Sequence, residues 1–176
     1  MRFTQTELEG AWLIEPEPMR DARGYFMRTF CVEEFGAHGL ETRFVQHSAS
    51  FTAAKGALRG MHFQKAPHEE VKVVTCLSGA IYDVIVDLRP GSPTFKQWRG
   101  FELSAENQRR LYIPKGFAHG FQTLTSDAEV FYLISEFYAA GAASGVRWDD
   151  PAFAIQWPAP PSVMSEKDAV WADFAG

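Results

Sequence analysis

Two β-prone runs lie back to back at residues 71–77 and 80–88, parted only by Ser78-Gly79. Valine, isoleucine, threonine and tyrosine suit a pleated, half-buried surface, and a two-residue gap containing glycine is the length that lets a strand reverse on its neighbour. This spacing predicts an antiparallel hairpin. Along the second run Ile81, Asp83, Ile85 and Asp87 share one face and Tyr82, Val84, Val86 and Leu88 the other, so one face carries two carboxylates. Short apolar runs between turn residues recur at residues 12–15, 25–30 (after a turn at 20–24), 43–51, 96–103, 110–114, 118–124 and 130–138. Helix signals are confined to a turn at residues 32–35, stopped by Gly36 and Gly39, and to Ser165, followed three residues later by Asp168. The expected fold class is all-β: a double-sheet jelly roll or a barrel, with short peripheral helices.

A chain of 176 residues, 46% of them hydrophobic, has the length and apolar content for one domain with its own core, and a single domain over 1–176 is expected. No run of about 18 apolar residues suggests a membrane span. Met1-Arg-Phe-Thr opens without a signal-peptide pattern, so a cytoplasmic protein is expected. Cys31 and Cys76 lack metal-type spacing and read as reduced, buried thiols. A net charge of −5 argues against a nucleic-acid surface, yet it leaves room for a local cationic pocket.

Such a pocket is suggested between Gly56 and Lys72, where Arg59, His62, His68, Glu69, Glu70 and Lys72 crowd a segment that would otherwise alternate apolar and polar residues. Farther along, Pro114-x-Gly116-x-x-His119 has the spacing of the second motif of cupin jelly rolls, in which a Pro-Gly turn delivers a histidine into the mouth of the sandwich. The first cupin motif, with its His-x-His pair, is missing: Phe63-Gln64 follows His62. A metal-dependent cupin enzyme would therefore have only His68, Glu70 and His119 as scattered ligands.

Read together, Arg59-Gly-Met-His62-Phe-Gln, Lys72, residues 83–89, residues 102–107, Ile113-Pro-Lys-Gly-Phe-Ala-His119-Gly-Phe121, Tyr132, Arg147-Trp-Asp-Asp-Pro151 and Ser165-Glu-Lys-Asp168 resemble the dTDP-4-dehydrorhamnose 3,5-epimerases, in order and spacing, over nearly the whole chain. That resemblance implies a cupin-like double-stranded β-helix and a homodimer that exchanges N-terminal strands. It also implies no metal, no cofactor, and epimerisation of a nucleotide-diphospho-4-keto-6-deoxysugar.

The chemistry fits the residues. A C4 ketone acidifies the protons on C3 and C5, so inversion needs a base on one face, an acid on the other and a group to steady the enolate. His62 suits the base, because an imidazole titrates near neutrality. Tyr132 suits the acid and Lys72 the oxyanion. By the resemblance, Asp168 hydrogen-bonds the other ring nitrogen of His62, and His119 meets the substrate near the keto oxygen. Asp83, expected to face the interior with Ile85, would support His119. Arg59 and Arg23 suit the diphosphate, since a guanidinium fork matches phosphate oxygens. The resemblance further assigns Gln46 and Tyr138 to the base, Lys167 to a substrate contact, and Arg23 and Phe26 to the partner subunit's pocket.

Four positions depart from the family pattern: Arg28, Ser48 and Ala143 at nucleotide-contacting places, and Leu133 after the tyrosine. A donor-only guanidinium in place of a carboxylate would invert the hydrogen bonding at the base edge, so altered base specificity is one expectation; an Arg28 that points to solvent or a phosphate is the other. His38, His47 and His68 are expected on the surface, and Phe131 and Phe137 in the core. Rival functions are a C3-only epimerase, a ketoisomerase, a metal-dependent cupin enzyme or a non-catalytic sugar-nucleotide binder.

Overall fold

The computed structural model describes residues 1–175. In chain order these hold β1 (Arg2–Gln5), β2 (Trp12–Glu15), β3 (Met19–Asp21), β4 (Gly24–Phe26), α1 (Val32–Ala37), β5 (Gln46–Thr52), β6 (Leu58–Gln64) and β7 (Lys72–Ser78). There follow β8 (Ala80–Asp87), β9 (Trp98–Ser104), β10 (Arg110–Ile113), β11 (Phe117–Thr123), β12 (Ala128–Ile134), β13 (Ala143–Gly145) and α2 (Glu166–Ala169). A six-stranded sheet in the order β1-β2-β10-β7-β12-β5 faces a five-stranded sheet in the order β13-β6-β11-β8-β9, while β3 and β4 form a separate ribbon. The pairs are antiparallel, and the result is a cupin-like jelly roll.

Side-chain alternation builds three layers from two sheets. Between them lie Val74, Cys76, Leu111, Ile113 and Val130 from one sheet and Ile81, Ile85, Leu103, Phe117 and Phe121 from the other. The outer face of the six-stranded sheet is closed by α1 and its flanks through Phe30, Phe35, Leu40 and Phe44. The outer face of the five-stranded sheet is covered by Phe153, Ile155, Trp157 and Phe174. Both faces of β8 are thus buried, which is why its sequence reads as nearly continuous β-branched residues. The two carboxylates on its inner face part company. Asp83 turns to His119, whereas Asp87 accepts from Arg89, Ser92 and Thr94 and ties down the turn that follows.

The expected hairpin is not there. Strands β7 and β8 both form, but β7 pairs with β10 and β12 while β8 pairs with β9 and β11, in the other sheet. Strand β7 continues through Ser78, leaving Gly79 alone between the two, and one residue is too short for a two-residue reverse turn. Gly79 sits at φ 71°, and a Cβ there would lie 2.3 Å from Thr125 Oγ1. The chain turns a corner from sheet to sheet, carrying one core face across with it.

Smaller differences follow from burial. The run at 25–30 leaves the strand after Phe26 because Phe30 swings under α1, and the run at 130–138 leaves the sheet after Ile134. Phe137, expected in the core, is 60% exposed, and Cys31 is only half-buried. His38, His47 and His68 are exposed. No helix among the described residues is long and apolar enough to cross a membrane.

Candidate active site

The inner faces of the strands carry core residues over part of their length and polar ones beyond it. On β7 the inward series runs Lys72, Val74, Cys76; on β12, Val130, Tyr132, Ile134; on β11, Phe117, His119, Phe121. The polar members converge with Gln46, Ser48 and Ser50 of β5 and Arg59 and His62 of β6 on a cavity of about 820 Å³. Gly60 and Gly120 oppose each other where β6 and β11 lose register, and a Cβ on Gly60 would lie 2.5 Å from the Gly120 Cα. Their missing side chains let the two strands close up and set His62 opposite His119.

Each of these histidines spends its Nε2 on a buried carboxylate. His62 Nε2 lies 2.6 Å from Asp168 Oδ1, and Asp168 Oδ2 accepts from the Gly60 amide at 3.2 Å. Asp168 is held there by α2, whose N-cap Ser165 accepts from the Asp168 amide at 3.1 Å. Burial pushes the Asp168 carboxyl up, but the hydrogen bond and charge of His62, with the Gly60 amide, outweigh it and hold the group below the usual carboxylate range. His119 Nε2 lies 2.6 Å from Asp83 Oδ1. Here burial dominates, and Asp83 is raised despite His119 and Lys72. One dyad therefore favours the ion, the other resists it.

The acid candidate sits on the opposite sheet. Tyr132 projects from β12, its hydroxyl 3.2 Å from Ser50 Oγ and its ring edge-on to His119 with centroids 6.3 Å apart. Burial raises the phenol well above its ordinary pKa, so it stays protonated at neutral pH. Lys72 Nζ pairs with Glu70 Oε1 at 2.9 Å, which makes Glu70 an ion-pair partner of the lysine rather than a metal ligand. Arg59 is braced by Thr52 Oγ1 at 2.9 Å and the Phe51 carbonyl at 3.1 Å. Among the described residues no three His, Cys, Asp or Glu side chains gather closely enough to hold a metal ion.

The remaining expected residues divide into two groups. Gln46, Ser48, Tyr138 and Lys167 line the same cavity, with Gln46 accepting from the Tyr138 amide. Arg23, Phe26 and Arg28 do not line it. Arg23 is exposed at the tip of the β3–β4 ribbon and pairs with Asp21 at 2.6 Å, Phe26 is 70% exposed, and Arg28 pairs with Glu34 at 3.1 Å. Of the departures from the family pattern, Ser48 and Ala143 line the cavity, while Leu133 faces away and packs in the cluster with Phe35. Gln64, Ser50 and Glu70 also line it and were missed as site residues. Gln64 sits two residues from His62 and Ser50 two residues from Ser48, so strict alternation offered a signal for both.

A family model described as dTDP-4-dehydrorhamnose 3,5-epimerase matches residues 5–176. A protein of that name from Methanothermobacter thermautotrophicus is 46% identical over 173 residues, covering 97% of this chain and 92% of the relative. The crystal structure of a dTDP-4-dehydrorhamnose 3,5-epimerase from Bacillus anthracis, with TDP and PPi bound, superposes with a TM-score of 0.95 at 44% identity, covering 98% and 99% of the two chains. A relative from Streptomyces niveus, 38% identical over 96% of this chain and 81% of its own length, is named a dTDP-4-dehydrorhamnose 3-epimerase. With the family model and these identities running nearly end to end, the chain belongs to the dTDP-4-dehydrorhamnose 3,5-epimerase family.

Proposed function

We propose that this chain is an isomerase that inverts C3 and C5 of a dTDP-linked 4-keto-6-deoxysugar. The observation that carries the reading is the placement of a carboxylate-bound imidazole and a protonated phenol on opposite sheets of one cavity, His62 on β6 and Tyr132 on β12. A ring held between them presents one face to each. His62 takes the proton from the carbon beside the ketone, and the C–H pair becomes the enolate. Lys72 donates to the developing oxyanion. Tyr132 returns a proton from the far face, which completes one inversion and leaves His62 protonated and the phenol ionised. Proton exchange resets the pair before the second carbon reacts. Asp168 fixes the His62 ring and steadies its imidazolium, as the carboxylate of a catalytic triad does.

For the nucleotide, Arg59 suits the diphosphate, and Gln46, Ser48, Tyr138 and Lys167 the rest. Arg28 pairs with Glu34 and does not line its own chain's cavity. We further infer a homodimer in which the β3–β4 ribbon, with Arg23 and Phe26, completes the partner's cavity. Its exposed Met19, Tyr25 and Phe26 support that reading.

Incubation with the dTDP-, CDP- and GDP-linked 4-keto-6-deoxysugar in deuterated water tests the proposal. Deuterium at C3 and C5 of the dTDP substrate, read by NMR, is the expected result. Label at C3 alone would make it a C3-epimerase, like the Streptomyces niveus relative's name, and no label on any substrate would overturn it.

A further inference from the structure

A second cavity, of about 320 Å³, lies under residues 29–44 on the outer face of the six-stranded sheet, away from the site above. Its walls are the side chains of Phe30, Phe44, Phe131 and Leu133, and its polar members are Thr29, Thr42, His47 and Arg110. Arg110 is the anomaly. It sits on the same outward row of β10 as Tyr112, is 4% exposed, and makes one side-chain hydrogen bond, from Nη1 to the Thr29 carbonyl at 2.9 Å. Its Nε is buried with no partner, and no carboxylate among the described residues lies within 4 Å of the guanidinium. Burial alone lowers its pKa, to about 10.

A guanidinium has five donors in a fixed fork and no acceptor, and a buried charge without a counter-charge is among the least favourable groups a fold can carry. The arginine ion pairs among the described residues are on the surface or partly so. Arg20, Arg43 and Arg59 also have no carboxylate within 4 Å, but they are exposed, and Arg110 is the one that is deeply buried. The missing partner is an anion. Four apolar walls exclude a strongly hydrated one such as sulfate, while a fork, two threonine hydroxyls and apolar walls suit a carboxylate on a small apolar body. We propose that the Arg110 cavity binds a carboxylate, either of a small organic acid or of an acidic side chain of a second copy of this chain.

The proposal stands apart from the epimerase reading, since none of its residues lines the first cavity. It is tested by titrating benzoate and butyrate into the full chain, with chloride as control, and reading contacts by NMR and self-association by sedimentation. A free acid predicts one saturable site with nuclear Overhauser contacts to Phe44 and Leu133, weakened at least tenfold in Arg110→Met and partly restored in Arg110→Lys. A second copy predicts no probe binding at that cavity but at least tenfold weaker self-association in Arg110→Met. Unchanged probe binding and unchanged self-association in that variant would overturn it. Melting curves guard against misfolding: if Arg110→Met does not fold, Arg110→Lys with paired Thr42→Val carries the same two measurements.

Discussion

At the scale of single residues, the site is two histidine–carboxylate pairs of the same length with opposite electrostatics. The His62 pair opens on solvent, takes a backbone amide and favours the ion; the His119 pair is enclosed and does not. That contrast has a measurable consequence for stability. The folded pKa of Asp168 lies below its unfolded value, so its contribution is present above about pH 4 and lost as pH falls through the folded value. Asp83 has the reverse sign: raised on folding, it contributes fully below about pH 4 and loses that contribution as pH rises through its folded value. On acidification from pH 7, the stability of wild type relative to Asp168→Asn should therefore fall, and that relative to Asp83→Asn should rise, in denaturant midpoints. Differences moving the same way would contradict the assigned environments. In activity, His62→Ala should abolish deuterium wash-in at both carbons, while Tyr132→Phe should retain wash-in and lose inversion by about 10²-fold or more. Full turnover by His62→Ala would remove it as the base.

At the scale of elements, what was legible in the sequence was whatever obeys a local period. The two faces of β8 followed from alternation and α2 from its Ser165 cap, whereas His119 was marked by its motif and Tyr132 by the resemblance. What was not legible was which strand meets which. Residues 71–88 have every local mark of a hairpin, yet the partners of β7 lie at residues 110–113 and 128–134, because the sequence between strands does not say whether a short turn folds back or crosses a corner. Glu70 was missed as a Lys72 partner although it stands two residues before it, because it lies ahead of β7, where no strand pattern fixes the way it faces. The tie of His62 to Asp168 spans 106 residues and came from the resemblance, not from the pattern. The contact of β6 with β11 at Gly60 and Gly120 is the sharpest such constraint. Gly60→Ala places a Cβ 2.5 Å from the opposing backbone at φ 141° and should cost about 3 kcal/mol or more in chemical denaturation. Gly141→Ala, with nothing within 4 Å of the added carbon, is the control and should stay within about 0.5 kcal/mol.

At the scale of the whole molecule, both outer faces of the sandwich are closed by the chain's own segments, while the β3–β4 ribbon carries exposed Met19, Tyr25 and Phe26 and a highly exposed Arg23. On its own chain the ribbon leaves these side chains exposed, and none of them lines the first cavity. Their mutual use across a dimer makes a prediction that a monomeric enzyme cannot meet. In a chain that lends Arg23 to its partner, Arg23→Ala spoils the partner's cavity and His62→Ala its own. Each homodimer is then impaired at both sites: Arg23→Ala by a raised KM, His62→Ala by the loss of its base. A mixed dimer concentrates both defects in one cavity, leaving the other with an intact His62 and an intact Arg23. Refolding the two variants together in equal amounts should give about half mixed dimers with one working site each, hence about a quarter of wild-type activity below KM, where either variant alone is nearly silent. If Arg23 served its own chain's cavity, each mixed dimer would hold one damaged site of each kind and mixing would restore nothing; if the arm were only a surface ribbon, Arg23→Ala alone would keep full activity.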